Sequence, residues 1–506
     1  MSGRLILEYA YIVTVDAVET EHPLGHVVVD VDRIVAVGPG PAPAWAREGV
    51  DPARPAPADA PLAAGDAATA PGAAPPGAAP AGAAAAATAA AATAGAAPSG
   101  RRSVERLDAT GCLVTPGLVN THHHLYQWLT RGLAQDSILF DWLVALYPTW
   151  ARITADTVGP GALGAMAVAA RSGCTTVGDH HYVFPRAGGD VLGSIVEAAG
   201  ELGVRLHATR GSMDLGRSQG GLPPDFAVET TAAALEASAD AVSRWHDPSP
   251  GSRVRIAIAP CSPFSVTPDL LREAAVLGRS LGVRLHTHGS ETVEEDAFCL
   301  ERFGTTPTRY LEDLGWLGDD VWMAHCVHLD DDAIGRFART GTGVAHCPSS
   351  NARLAAGIAP VADLLAAGVP VGLGVDGSAS NESGQLGTEI RAAVLAARLR
   401  SGASSMSGRA ALRMGTMGGA RVLGRADEIG SLEVGKLADI AVWDVSEVEH
   451  AGIADPVAAL TLGALPPLRR LYVGGDAVVA DGELVQVASR DVAARVEVAA
   501  RTLLNA

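Results

Sequence analysis

Between residues 112 and 382, apolar residues gather into eight short runs, each closed by polar residues and followed by a helix-compatible stretch. The runs are "CLVTPGLVNTHHH", "CTTVGDHH", "GVRLHATRGS", "RVRIAIAPCSPF", "GVRLHTHGSE", "DVWMAHCVHL", "GTGVAHCPSSN" and "PVGLGVDGSASN". Val, Ile and Leu open them, whereas His, Asp, Ser and Asn finish them. Short β-branched runs alternating with helical stretches predict an α/β fold, a parallel (β/α)8 barrel of the TIM type. In such a barrel the chemistry sits at the C-terminal strand ends, which is where these polar residues collect. Two runs echo each other, "LGVRLHATRGS" (202–212) and "LGVRLHTHGS" (281–290), so His207 and His286 hold equivalent positions. Both are read as satisfied core histidines one layer below the strand ends.

The flanks carry a different pattern. Residues 4–38 alternate in short strand-like pieces with Gly and Asp at the turns, and similar pieces return after residue 430 in "GSLEVGKLADIAVWDV" and "LRRLYVGGDAVVADGEL". The two chain ends therefore predict halves of one small β-sandwich domain, 1–50 and 426–506, around a barrel at 101–425. Residues 51–100 collapse to Ala, Pro, Gly and Thr. With few large side chains to bury, this stretch is expected to be a disordered insertion.

Composition narrows the function. The 506 residues are 48% hydrophobic, enough for a large core, and the net charge of −18 disfavours polyanionic partners. No nucleic acid and no membrane are expected, since no basic patch, signal segment or long apolar span is apparent. The six cysteines are scattered without a C-x-x-C pair, which reads as reduced thiols in a cytoplasmic protein.

The run ends supply the chemistry. In a strand, residues i and i+2 share a side, so His122 and His124 of "NTHHHLYQ" can converge on one ion while His123 points away. The fifth run adds His288 and, three residues on, Glu291; the sixth adds His325 and the eighth Asp376. Round one barrel mouth, His122, His124, His288 and Asp376 make a His3Asp shell for a divalent ion, expected to be one Zn2+ with Fe2+ or Mn2+ as alternatives. A water in the open position would have its pKa lowered from about 15.7 towards about 7. Glu291 is then free to shuttle protons and His325 to polarise the atom under attack. His286 competes with His288 for the ligand role, and His288 is preferred because it lies nearer the strand end. His180, His181 and His346 also close runs, within reach of a substrate.

Taken in order, "VTPGLVNTHHH", "LHTHGSE", "MAHC" and "GLGVDGSASN" resemble the amidohydrolase superfamily, in its branch of aminohydrolases acting on nucleobases and triazines. The resemblance covers nearly the whole chain outside the Ala/Pro stretch. It implies the same four ligands, Glu291 as proton shuttle and His325 as the residue orienting water and substrate. Two-metal members usually bridge their ions with a carbamylated lysine on a barrel strand. The only lysine here, Lys436, stands in the C-terminal flank, so the resemblance implies a single metal.

Several stretches, such as "SGCTTVGDHHYVFP" and "RGSMDLGRSQGGLPPD", are most similar to 8-oxoguanine deaminases. The implied reaction is hydrolytic conversion of 8-oxoguanine to urate and ammonia by a homo-oligomeric enzyme with a small purine-like substrate. Gln127 matches a glutamine of guanine-type deaminases, and its amide offers both a donor and an acceptor to an oxopurine edge. One departure is "CSPFS", where guanine deaminases carry Arg-Phe; Arg210 is the expected replacement for the missing arginine, with His346 a further substrate contact. Alternatives are an s-triazine amino- or chlorohydrolase, a guanine or isoxanthopterin deaminase with the same mechanism, and, remotely, a non-catalytic scaffold.

Overall fold

The computed structural model describes residues 3–50 and 103–505. The Ala/Pro-rich stretch 51–100, expected to be disordered, lies outside the described residues.

Eight parallel strands close into a barrel: β1 (Leu118–Asn120), β2 (Cys174–His181), β3 (Arg205–Ser212), β4 (Val254–Pro260), β5 (Leu285–Gly289), β6 (Val321–His325), β7 (Gly343–His346) and β8 (Val371–Leu373). Each lies in one of the eight apolar runs, and Leu373 pairs with Asn120 to close the ring. The punctuation between strands and helices follows local chemistry. Thr267 caps the helix Pro268–Leu281 by accepting from the Leu270 amide at 3.2 Å, with proline at its first turn. Gly282 ends that helix at φ +68°, and the echoed Gly203 ends Val191–Leu202 at φ +78°. The repeated sequence is thus a repeated helix stop and strand entry.

The chain ends build one mixed sheet of nine strands. Arg4–Val13 lies at its centre and pairs with Glu21–Asp30, Val104–Asp108 and Cys112–Pro116. The last of these also pairs with Ile440–Asp444 from the C-terminal flank. The first apolar run is therefore shared, with Cys112–Pro116 in the mixed sheet and Leu118–Asn120 in the barrel. Gly117 makes the crossing, where a Cβ would lie 2.2 Å from Thr175 Cγ2. No described helix is long and apolar enough to cross a membrane.

Barrel and sheet are joined through a buried ion pair. Arg205, at the start of β3, donates from Nε and Nη2 to both Asp439 oxygens at 2.8 and 3.0 Å. Asp439 immediately precedes the strand Ile440–Asp444 and also accepts from the Gly474 amide at 2.7 Å. Both side chains are almost fully buried. Burial opposes the charge on Asp439, but the Arg205 guanidinium wins and holds its carboxyl below the usual range. Asp439→Ala should therefore cost about 3–5 kcal/mol in denaturant unfolding, because it strands a buried guanidinium. The double variant Arg205→Met/Asp439→Leu should recover most of that loss. Since the folded carboxyl is more acidic than the unfolded one, the contribution is complete above about pH 4 and fades as the pH falls below it. A wild-type stability curve with no acid loss beyond that of Asp439→Ala would count against the assignment.

Candidate metal centre

Three backbone carbonyls and one imidazole chain organise the barrel mouth. His124 Nδ1 lies 2.5 Å from the His180 carbonyl, and His288 Nδ1 lies 2.7 Å from that of Cys261. His286 Nδ1 lies 2.9 Å from the Trp322 carbonyl, and its Nε2 faces His122 Nδ1 at 2.8 Å. A carbonyl only accepts, so each ring nitrogen beside one carries the hydrogen. His286 Nε2 is then an acceptor, and His122 Nδ1 must donate to it. In neutral rings this leaves Nε2 bare on His122, His124 and His288. Burial holds His122, His286 and His288 well below the usual imidazole range, which keeps them neutral.

Those bare nitrogens converge. His122 Nε2 and His124 Nε2 lie 3.2 and 3.3 Å from Asp376 Oδ1, and His124 Nε2 lies 3.2 Å from His288 Nε2. These are acceptors facing acceptors, and His122 Nε2 has no hydrogen-bond partner. A divalent cation fits this donor set, because it replaces the missing protons with one shared positive charge. Two overlapping groups have ligand atoms within 4.8 Å of one another, His122/His124/His180/His288 and His122/His288/His325/Asp376. His180 enters this cluster as an additional donor: its Nε2 donates to the Ala259 carbonyl at 3.0 Å, leaving Nδ1 bare.

Asp376 reaches the cage because Asp376–Gly377 pairs in parallel with His123–His124. Its other oxygen accepts from Ser350 Oγ at 2.5 Å and Ser380 Oγ at 2.9 Å, which aims Oδ1 at the histidines. The backbone is wound left-handed at Ser290, His325, Cys326 and Asp376, with φ between +50° and +71°. Such non-glycine positions cost about 1–3 kcal/mol each, and here they turn side chains inward at the ends of β5, β6 and β8.

Glu291 and His325 face each other across the mouth, with His325 Nε2 3.6 Å from Glu291 Oε1. Burial, and then the Asp376 carboxylate, push Glu291 well above the ordinary carboxylate range, which favours its protonated form. Glu295 accepts from the Ser290 and Glu291 amides at 2.9 and 2.8 Å and thereby sets the Glu291 backbone. His325 Nδ1 is anchored 2.9 Å from Asn351 Oδ1.

A pocket above the cage is lined by Trp142, Leu143, Tyr182, Phe264 and Leu354, together with Gln127 and Tyr147. Both amide atoms of Gln127 and the Tyr147 hydroxyl are buried without a hydrogen-bond partner. Gly377 gives Gln127 its place, since a Cβ there would lie 1.8 Å from its Oε1. Tyr147 sits mid-helix in Leu139–Trp150, where nothing in the local pattern marks it. Arg210, expected to grip a carbonyl of the ring, is instead held by Glu229 at 2.7 and 3.0 Å and stacks 3.6 Å over Phe184. Neither it nor the buried His346 lines this pocket. His123 and His181 are buried outside the pocket wall as well.

His286→Phe removes the acceptor that orients His122, and should weaken zinc retention against a chelator about 10–100-fold while leaving the circular dichroism unchanged. Retention equal to wild type would show that the imidazole chain does not set the cage.

Residues 113–485 match the model of the Amidohydrolase family. The chain is 47% identical over 406 residues to 8-oxoguanine deaminase of Pseudomonas aeruginosa, covering 79% of this chain and 89% of that enzyme. It is 37% identical to isoxanthopterin deaminase from an unknown prokaryotic organism, over 79% and 87% of the two chains. Among solved structures, atrazine chlorohydrolase from Arthrobacter aurescens TC1 complexed with zinc superposes with a TM-score of 0.83 at 29% identity, covering 98% of this chain and all of that one. By the extent of these matches and by its barrel, this chain belongs to the amidohydrolase family, as a hydrolase of C–N bonds.

Proposed function

We propose that this chain is a mononuclear zinc aminohydrolase that converts 8-oxoguanine and water to urate and ammonia. The observation that carries the chemistry is the convergence of the bare Nε2 atoms of His122 and His124 on Asp376 Oδ1, with His288 Nε2 against His124, beside the buried Glu291. The 47% identity to an 8-oxoguanine deaminase supports the ring assignment. In this reading His122, His124, His288 and Asp376 hold the ion. A divalent cation there supplies Lewis acidity and a water made acidic enough to attack near neutral pH.

The remaining work belongs to the chain's own groups. Glu291 delivers its proton to the ring nitrogen next to the amino-bearing carbon, which makes that carbon electrophilic. Asp376 accepts a proton from the attacking water. His325 stabilises the negative charge that develops as the new C–O bond forms. Asp376 passes that proton to the amino group, the C–N bond breaks and ammonia leaves, and the proton of the new hydroxyl returns to Glu291 as the C=O forms. Gln127 offers donor and acceptor to the ring edge, with the Tyr147 hydroxyl as a second polar contact on an otherwise largely apolar wall.

One observation favours a second reading, an s-triazine amino- or chlorohydrolase. The pocket wall carries no arginine for an oxopurine carbonyl, since Arg210 is committed to Glu229. Ammonia release from zinc-loaded protein, measured with 8-oxoguanine, guanine, isoxanthopterin and hydroxylated triazines, separates the readings. Turnover should be fastest with 8-oxoguanine; turnover of a triazine without 8-oxoguanine would overturn the substrate and leave the chemistry. Glu291→Gln should lower kcat at least about 100-fold with zinc content unchanged, and full activity in that variant would overturn the proton-transfer scheme. Gln127→Ala should raise KM about tenfold for the preferred ring with a much smaller change in kcat, the signature of lost binding.

A further inference from the structure

The echoed histidines have opposite fates. His286 is fully hydrogen-bonded within the imidazole chain, but His207, at the matching place in β3, has neither ring nitrogen partnered although it is only 2% exposed. It lines a cavity of about 190 Å³ at the floor of the barrel, on the side of the strand starts and away from the metal centre. Its neighbours on the wall are basic: Arg255, paired with His207 across the β3–β4 ladder, Arg284, which leads into β5, and His246.

The hydrogen bonds show which donors are unused. Arg284 Nη2 donates to the Asp319 carbonyl at 2.7 Å, but its Nε is buried and unpartnered. Arg425, next to Gly424 of the wall, leaves Nε and Nη1 buried without partners. His246 Nδ1 accepts from the Ile256 amide at 3.0 Å, which places its hydrogen on Nε2 as a donor. Counter-charge is short. Glu428 serves both Arg255 and Arg425, each at 2.6 Å. Asp320 is held by Arg279 at 2.8 Å, and Asp247 by the backbone and hydroxyl of Ser249. Asp319 also stands near Arg284, so Glu428 and Asp319 face three guanidiniums, and Nε of Arg284 and Nε and Nη1 of Arg425 still stay unpartnered. An excess of buried cationic donors in an acidic protein needs an anion.

We infer that the barrel floor is an anion site for a small oxyanion of the phosphate class, bound by Arg284, Arg255, His246 and His207. Planar guanidiniums suit the paired oxygens of such a ligand. Its walls come from the starts of β3, β4 and β5 and from the loop after the helix Gly419–Val422. Occupancy therefore ties the barrel to the segment that plugs it from below. The site is independent of the proposed substrate.

The test titrates zinc-loaded full-length protein with inorganic phosphate at constant ionic strength, using chloride as the balancing salt. Phosphate should raise Tm saturably and leave kcat/KM unchanged. Arg284→Gln and His207→Phe should each weaken the phosphate dependence about tenfold or more without altering turnover. Broadening of the phosphate ³¹P resonance by wild-type protein gives a second readout that does not depend on a variant folding. His246→Ala, at the half-buried rim, should reduce that broadening too. An equal response to chloride, an unchanged response in all three variants, or phosphate inhibition competitive with substrate would each overturn the assignment.

Discussion

The constraint on which the site depends is that a carbonyl oxygen cannot donate. Because the His180, Cys261 and Trp322 carbonyls each stand against an imidazole Nδ1, the ring hydrogens are forced outward from the mouth. The effect passes through His286 to His122, so a backbone group on β6 decides which nitrogen of a residue after β1 is bare. Strand geometry brings the histidines together, but this polarity of the backbone makes them ligands. Burial reinforces the outcome, since imidazolium ions in this setting would be costly.

The barrel and the sheet divide the labour. All eight polar strand ends open on one side, while the opposite side is stitched to the mixed sheet through Arg205 and Asp439. The side that carries chemistry thus gathers neutral rings around the Asp376 carboxylate, whereas the other gathers guanidiniums and their carboxylate partners. Between them lies the apolar and aromatic middle of the barrel, where Trp322 packs between His286 and His207.

Much of this was legible in the chain. The apolar runs located every barrel strand because a strand buried on both faces must be apolar along its length. The i, i+2 rule likewise singled out His122 and His124, which do face the same carboxylate oxygen. What escaped depended on partners distant in sequence. His286 is the satisfied core residue it read as, but the identity of its partner escaped, since its bond to His122 spans 164 positions. His207 read the same way, yet it lacks any partner, because its burial comes from segments whose approach no local pattern reports. Arg210 read as a substrate contact at a strand end; Glu229, 19 residues on, claims it. The left-handed turns at Ser290, His325, Cys326 and Asp376 were invisible too, since none of these residues is glycine.

Those four turns bear on how the protein can be hardened. Replacing a residue at positive φ by glycine ordinarily removes local strain, but it also widens the conformations open to the unfolded chain and to the loop itself. At His325 and Asp376 the side chain is the purpose of the turn, so the exchange is closed. At Ser290 and Cys326 it is sterically open but would loosen the backbone that aims Glu291 and His325. The mouth is therefore held at a local energy above its minimum, offset by the rest of the fold. Gains in heat resistance have to be sought in the helices and the lower half of the barrel, where no such compromise is built in.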